Sequence, residues 1–158
     1  MDFLIFRRHN ADLEGLAKMP LFEGLSKKEL GIVAGLVHTR EYHGGEVIFD
    51  EGEQGQAIYL LLEGEVAICR QGHADGGFLA KLRAGEFFGE LGLLDDSVRT
   101  AQVRALRDCK TAVLFREDFH GLMESHLRIA HKIGRQLLRH LGQRLRELGH
   151  SVGSHRYL

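Results

Sequence analysis

The 158-residue sequence holds one proline and two cysteines, and no run of 18 or more apolar residues occurs in it. The last absence excludes a conventional transmembrane helix. The opening MDFLIFRRHN sets a short apolar patch ahead of its arginines, the wrong order for a secretory signal. The cytoplasm is the compartment expected. Cys69 and Cys109 stand far apart and form no C-x-x-C pair, so they read as reduced, buried thiols. Scarce proline against 20 glycines points to many tight turns between short strands. No H-x-H or H-E-x-x-H occurs among the ten histidines, and no nucleophile motif surrounds Ser97 or Ser125. No metal site is expected, and an enzyme of the cupin kind is the least favoured reading. The phosphate-cradling patterns G-x-x-x-x-G-K-S/T and G-x-G-x-x-G are also missing.

Net charge is −1, but it is uneven. Residues 116–158 carry eight Lys and Arg against four Asp and Glu, with six histidines besides. A basic C-terminal helix suits an acidic partner or simply a solvated face.

A chain of this length buries about 70% of its unfolded surface, enough for one domain with a genuine core. Three zones follow from the patterning. Residues 1–38 read as helical. NADLEGLAKM forms a short helix that Pro20 ends. LSKKEL then starts a second, with Ser26 as N-cap, Glu29 as capping-box partner, and Leu25 with Leu30 as hydrophobic staple. Residues 39–115 read as β. EVIFD, AIYLLL, EVAICR, FLAKL, AQVRAL and TAVLF are separated by glycine-containing turns such as GHADGG at 72–77. Short strands so punctuated predict a small barrel or sandwich of jelly-roll character. Ile58 to Leu62 hardly alternate, as expected of a strand buried on both faces. Residues 116–149 read as helical again, followed by a tail at 150–158. Ala130, Ile133, Leu137, Leu141, Leu145 and Leu148 make a narrow apolar seam. A helix this long overreaches a small barrel, so its distal half is expected to pair with a second copy. Gly134 and Gly142 lie on roughly one face, where a helix or ligand can approach closely.

The informative stretch is EFFGELGLLDDSVRTAQVRA. A strand ending at Phe88 leads into a helical turn opened by Gly89, Glu90 and Leu91. The first amides of such a turn lack intrahelical partners and suit an anion, and Gly89 and Gly92 let backbone come close to it. Arg99, near the start of the next strand, can fold its guanidinium over the same place, with the Thr100 hydroxyl beside it. Glu90 would repel a phosphate. It fits if it accepts from a hydroxyl next to the phosphate and helps hold Arg99, which points to a nucleotide ribose. The alternative is a Glu90–Arg99 salt bridge in a surface loop with no ligand.

GEFFGELGLLDDSVRTAQVRA closely resembles the phosphate-binding cassette of cyclic-nucleotide-binding domains, of the catabolite activator and protein kinase A regulatory subunit type. LFEGLSKKELGIVAGLV and GGEVIFDEGEQGQAIYLLLEGEVAI are similar to segments of the same family, with Gly45, Gly52, Tyr59 and Gly64 in its glycine framework. The resemblance covers about residues 20–148. It implies an α+β, mainly β fold: an eight-stranded antiparallel β-roll (a double-stranded β-helix, or jelly-roll) flanked by N-terminal helices and a long C-terminal helix. It implies a cassette at 85–101 that binds cAMP or cGMP, with no other cofactor. Glu90 then takes the ribose 2′-hydroxyl, Arg99 pairs with the cyclic phosphate, and the amides of Gly89, Leu91 and Thr100 lie near that phosphate. Leu91 and Leu94 belong to a short helix that shifts on binding and signals to the C-terminal helix. Arg144, His150 and Ser151 are the candidates for a lid over the base. Many members carry proline before the arginine; Val98 stands here, leaving the loop less rigid.

The resemblance also implies a homodimer through the C-terminal helix and a downstream protein it does not name. Transcription factors of the family continue into a helix-turn-helix, whereas this sequence ends within ten residues of Gly149. No sequence-specific DNA binding and no membrane association are expected. A nucleotide-independent interaction or scaffold module with the same fold is the rival reading.

Overall fold

The computed structural model describes residues 13–70 and 78–151. The start of the NADLEGLAKM helix, the expected turn at 72–77 and the tail after Ser151 lie outside the described residues. Helix α1 (Leu13–Ala17) is followed by a 3-10 turn that Pro20 begins, and by α2 (Lys27–Ala34). Both halves of the capping box form: Ser26 Oγ accepts from the Glu29 amide at 3.1 Å, and the Ser26 amide donates to Glu29 Oε1 at 2.9 Å. Glu29 also receives Lys132 Nζ from the C-terminal helix, at 2.6 Å. That bond, with help from Ser26, holds the Glu29 carboxyl at a pKa of about 2.

Eight strands follow: β1 (His38–Tyr42), β2 (Val47–Phe49), β3 (Ala57–Glu63), β4 (Glu65–Cys69), β5 (Phe78–Arg83), β6 (Phe87–Phe88), β7 (Gln102–Ala105) and β8 (Cys109–Phe115). They form two four-stranded sheets, ordered β1-β8-β3-β6 and β2-β7-β4-β5, and the pairings are antiparallel. Neighbours far apart in sequence are the mark of a jelly-roll, so the expected β-roll is the architecture observed. All six strand segments named from the sequence occur. Strand β1 was not among them, because HTREY is polar and runs exposed along a sheet edge.

Strand β3 explains its own lack of alternation. Ile58 and Leu60 face the helices, while Ala57, Tyr59 and Leu61 face the opposite sheet. Two cores result, one between sheet and helices and one between the sheets.

Helix α3 (Arg116–Ser125) leads into α4 (Leu127–Ser151), which extends past the expected end at Gly149. The apolar seam divides. Ile129, Ala130, Ile133 and Leu137 are buried in the helix-side core, whereas Leu145 and Leu148 are exposed. Leu138, outside the expected seam, is exposed too, so the outward stripe runs Leu138, half-buried Leu141, Leu145 and Leu148, in steps of 3, 4 and 3. Beyond its chain neighbours and the backbone of its own helix, no atom of the described residues lies within 4 Å of where a side chain at Gly134 would begin. No helix among the described residues is long and apolar enough to cross a membrane.

Candidate functional site

The connection from β6 to β7 carries the site. Gly89 adopts the left-handed conformation, φ 75°, and turns the chain out of β6 into a 3-10 turn at Glu90–Leu93. From there the chain loops back to Arg99, three residues ahead of β7. Its backbone is fastened by the Arg99 amide donating to Glu53 O at 2.6 Å and the Gly52 amide donating to Arg99 O at 2.8 Å.

The Arg99 side chain points inward and is only 8% exposed. Its Nη1 donates to Gly89 O at 3.0 Å and its Nη2 to Ala57 O at 2.9 Å. The guanidinium carbon lies 4.1 Å from the centre of the Phe49 ring, a cation–π contact. Glycines make the room. A Cβ on Gly55 would lie 2.8 Å from the guanidinium carbon, and one on Gly89 only 2.6 Å from Nη1. The close approach predicted for Gly89 and Gly92 is thus used by the Arg99 side chain itself. Gly55 was not singled out in the sequence; its signal was the glycine spacing of GEQGQ.

No carboxylate among the described residues forms an ion pair with Arg99. Burial lowers its pKa, but a guanidinium stays charged at any physiological pH. Two neutral carbonyls and a ring face therefore hold a buried cation, with N–H groups to spare. Such a cation gains most from an anion brought in from outside.

Glu90 is 5% exposed, and its partner differs from the one expected. Arg144 Nη1, from α4, donates to Glu90 Oε1 at 2.7 Å. Glu90 does not hold Arg99, and the surface Glu90–Arg99 bridge of the ligand-free reading does not form. The reason is geometric: Arg99 dives beneath the turn to the Ala57 carbonyl, leaving Glu90 to face the helix. One turn before Arg144, the His140 ring sits 4.2 Å from that of Phe87, and its buried Nε2 has no hydrogen-bond partner among the described residues. Burial first, then the Arg144 charge, push the His140 pKa down.

Gly89, Glu90, Leu91, Arg99, Thr100 and Arg144 line one cavity of about 130 Å³, floored by the aromatic and aliphatic side chains between the sheets. His150 and Ser151 lie on the last turn of α4, six and seven positions beyond Arg144, and their side chains fall outside the described residues. A larger groove, about 700 Å³, lies beyond the far end of the turn, but Asp95, Asp96, Glu117 and Asp118 line it. Four carboxylates repel an anion, so charge rather than size selects the smaller cavity. A buried cation and a buried carboxylate acceptor side by side suit a ligand that is anionic on one edge and hydroxylated on the next. No group of three or more possible metal ligands occurs among the described residues.

Comparison with known proteins agrees with this chemistry. Residues 39–126 match the profile of the family described as Cyclic nucleotide-binding domain. The chain is 39% identical over 124 residues to the Cyclic AMP receptor protein of Thermus thermophilus, covering 77% of this chain and 57% of that protein. It is 36% identical over 118 residues to a cAMP-dependent protein kinase regulatory subunit of Emericella nidulans, covering 75% of this chain but 28% of that protein. Among solved structures, the Thermus thermophilus Catabolite Activator Protein superposes with a TM-score of 0.74 at 37% identity, over 85% of this chain and 62% of that one. The chain thus spans between about a quarter and three-fifths of the length of these three proteins. By profile, identity and fold together, the chain belongs to the cyclic nucleotide-binding domain family.

Proposed function

We propose that this domain is a cyclic-nucleotide sensor, binding cAMP or cGMP in the cavity between Arg99 and Glu90. The observation that carries the reading is the buried Arg99, with no ion pair among the described residues, beside a buried carboxylate. The cyclic phosphate takes the remaining Arg99 N–H groups, with the amides of Gly89, Leu91 and Thr100 around it. The ribose 2′-hydroxyl donates to Glu90 and competes with Arg144 for that carboxylate. The domain acts by binding rather than catalysis, in the cytoplasm.

Output follows from the same contact. Arg144 stands on α4, so displacing it from Glu90 shifts the balance of positions open to the distal half of that helix. Arg144 then becomes available to the base, the lid role its place on the helix supports. The exposed leucines beyond Leu137 offer a surface to a second copy of the chain, and an unidentified downstream protein reads the result.

The rival, a nucleotide-independent interaction module, draws support from the Glu90–Arg144 pair, which closes the site without any ligand. Thermal unfolding with cAMP, cGMP and a cyclic dinucleotide separates the two. A ligand at 100 times its dissociation constant adds about 2.7 kcal/mol, a rise of several degrees for a domain this size. The sensor reading expects that rise with one nucleotide and its disappearance in Arg99→Leu. A flat response to all three, in folded protein free of co-purified nucleotide, favours the rival.

A further inference from the structure

We infer that Arg116, outside the cavity, is a positioning residue for the site: it clamps the loop that presents Arg99 to the start of α3. This inference rests on the sensor reading above. Arg116 Nη1 donates to Asp95 O and Nη2 to Asp96 Oδ1, each at 2.5 Å. Its backbone amide donates to Gln56 O at 2.8 Å. The very next carbonyl, Ala57 O, accepts from Arg99. One peptide stretch thus holds both arginines, while the Arg116 side chain grips the loop that leads to Arg99 from the other side.

The loop needs such a grip. Val98 leaves it without the rigidity of a proline; its exit is held by the Val98–Gln54 bridge and the Arg99 backbone bonds, while ahead of these lies a short Asx turn, the Ser97 amide donating to Asp95 Oδ1 at 2.9 Å. Position also sets Arg116 apart. It is the first residue of α3, where the helix dipole disfavours a cation. Its guanidinium is only a fifth exposed and spans from the helix to the loop, while Glu117 and Asp118 supply the charge the helix start favours. Through this clamp, movement of the cassette on binding reaches α3 as well as α4.

The test combines hydrogen–deuterium exchange of residues 94–99 in the free protein with cAMP and cGMP binding kinetics. Arg116→Gln is expected to raise exchange across the loop and to weaken binding about tenfold through faster dissociation, the loss of a charged hydrogen bond. Arg116→Lys should recover part of both. Asp96→Asn, at an exposed carboxylate that does not threaten folding, should show the same pattern at about threefold. Wild-type exchange and wild-type dissociation in Arg116→Gln and Asp96→Asn overturn the clamp. If the wild-type protein binds neither nucleotide, the sensor reading falls, and loop exchange alone decides the clamp.

Discussion

The two halves of α4 are built on opposite principles. From Ile129 to Leu137 the helix is part of the core: four apolar side chains are nearly inaccessible, and Lys132 is tied to Glu29 of α2. From Leu138 to Leu148 it carries exposed leucines, and its one ion pair to the rest of the chain among the described residues is Arg144 to Glu90. Apolar burial is non-directional and hard to undo, whereas a single ion pair can be exchanged for another partner. One half is fixed by burial, the other is held by contacts that can be exchanged.

The largest test of that contrast is truncation. Leu137→Ala should cost about 2–4 kcal/mol of unfolding free energy, the transfer and cavity penalty of a buried leucine. Leu138→Ala, one residue on, should change monomer stability by less than about 0.5 kcal/mol. Urea denaturation of both variants measures this, and equal losses would end the division proposed here.

Arg144→Gln comes next. It leaves Glu90 buried with a weaker partner, and since Arg144 is about one-third exposed the expected loss is about 1 kcal/mol. Hydrogen exchange should accelerate at residues 141–149 while 129–137 keep their protection. Uniform acceleration along the helix would show that the halves are not independent.

The Lys132–Glu29 anchor has a pH signature. Glu29 is held at a pKa of about 2, below the ordinary carboxylate value near 4.5. Its contribution to stability is therefore complete above pH 4.5 and is lost as pH falls towards 2. Acid titration of Glu29→Gln should lack this component and otherwise parallel the wild type. An identical acid profile would remove the anchor from the account.

The smallest expected effect is at Gly134. With no packing neighbour among the described residues near the site of a new Cβ, Gly134→Ala should stabilise the monomer by about 0.5–1 kcal/mol. If the pairing of two copies uses that face, the same change should weaken the dimer, read by static light scattering across a concentration series.

Much of this could be read in the residues. The capping box, six strands and the Gly89–Thr100 constellation have local signatures: a fixed spacing, an alternation, a glycine at a turn. Strand β1 had none, since an exposed edge strand needs no apolar pattern. The partner of Glu90 was hidden for another reason. Arg144 lies 54 residues away, and only the packing of Ile133 and Leu137 against the sheet brings that face of α4 to the cassette. Two apolar stripes share α4, the seam named from the sequence and one through Leu138, and both continue through Leu141. Periodicity sees their sum. Which stripe goes inward is decided by the sheet, not by the helix.

The length of α4 beyond Leu137, where His140 against Phe87 and Arg144 against Glu90 are its contacts described above, has a mechanical meaning. From Leu137 to Ser151 the helix runs 14 residues, a stiff arm of about 21 Å. A tilt of about 10° around Leu137 carries the tip roughly 4 Å, by the same helical rise. Were the Glu90–Arg144 bond near the middle of that arm exchanged for another partner, such a tilt would carry the end of the helix farther than the bond itself is long.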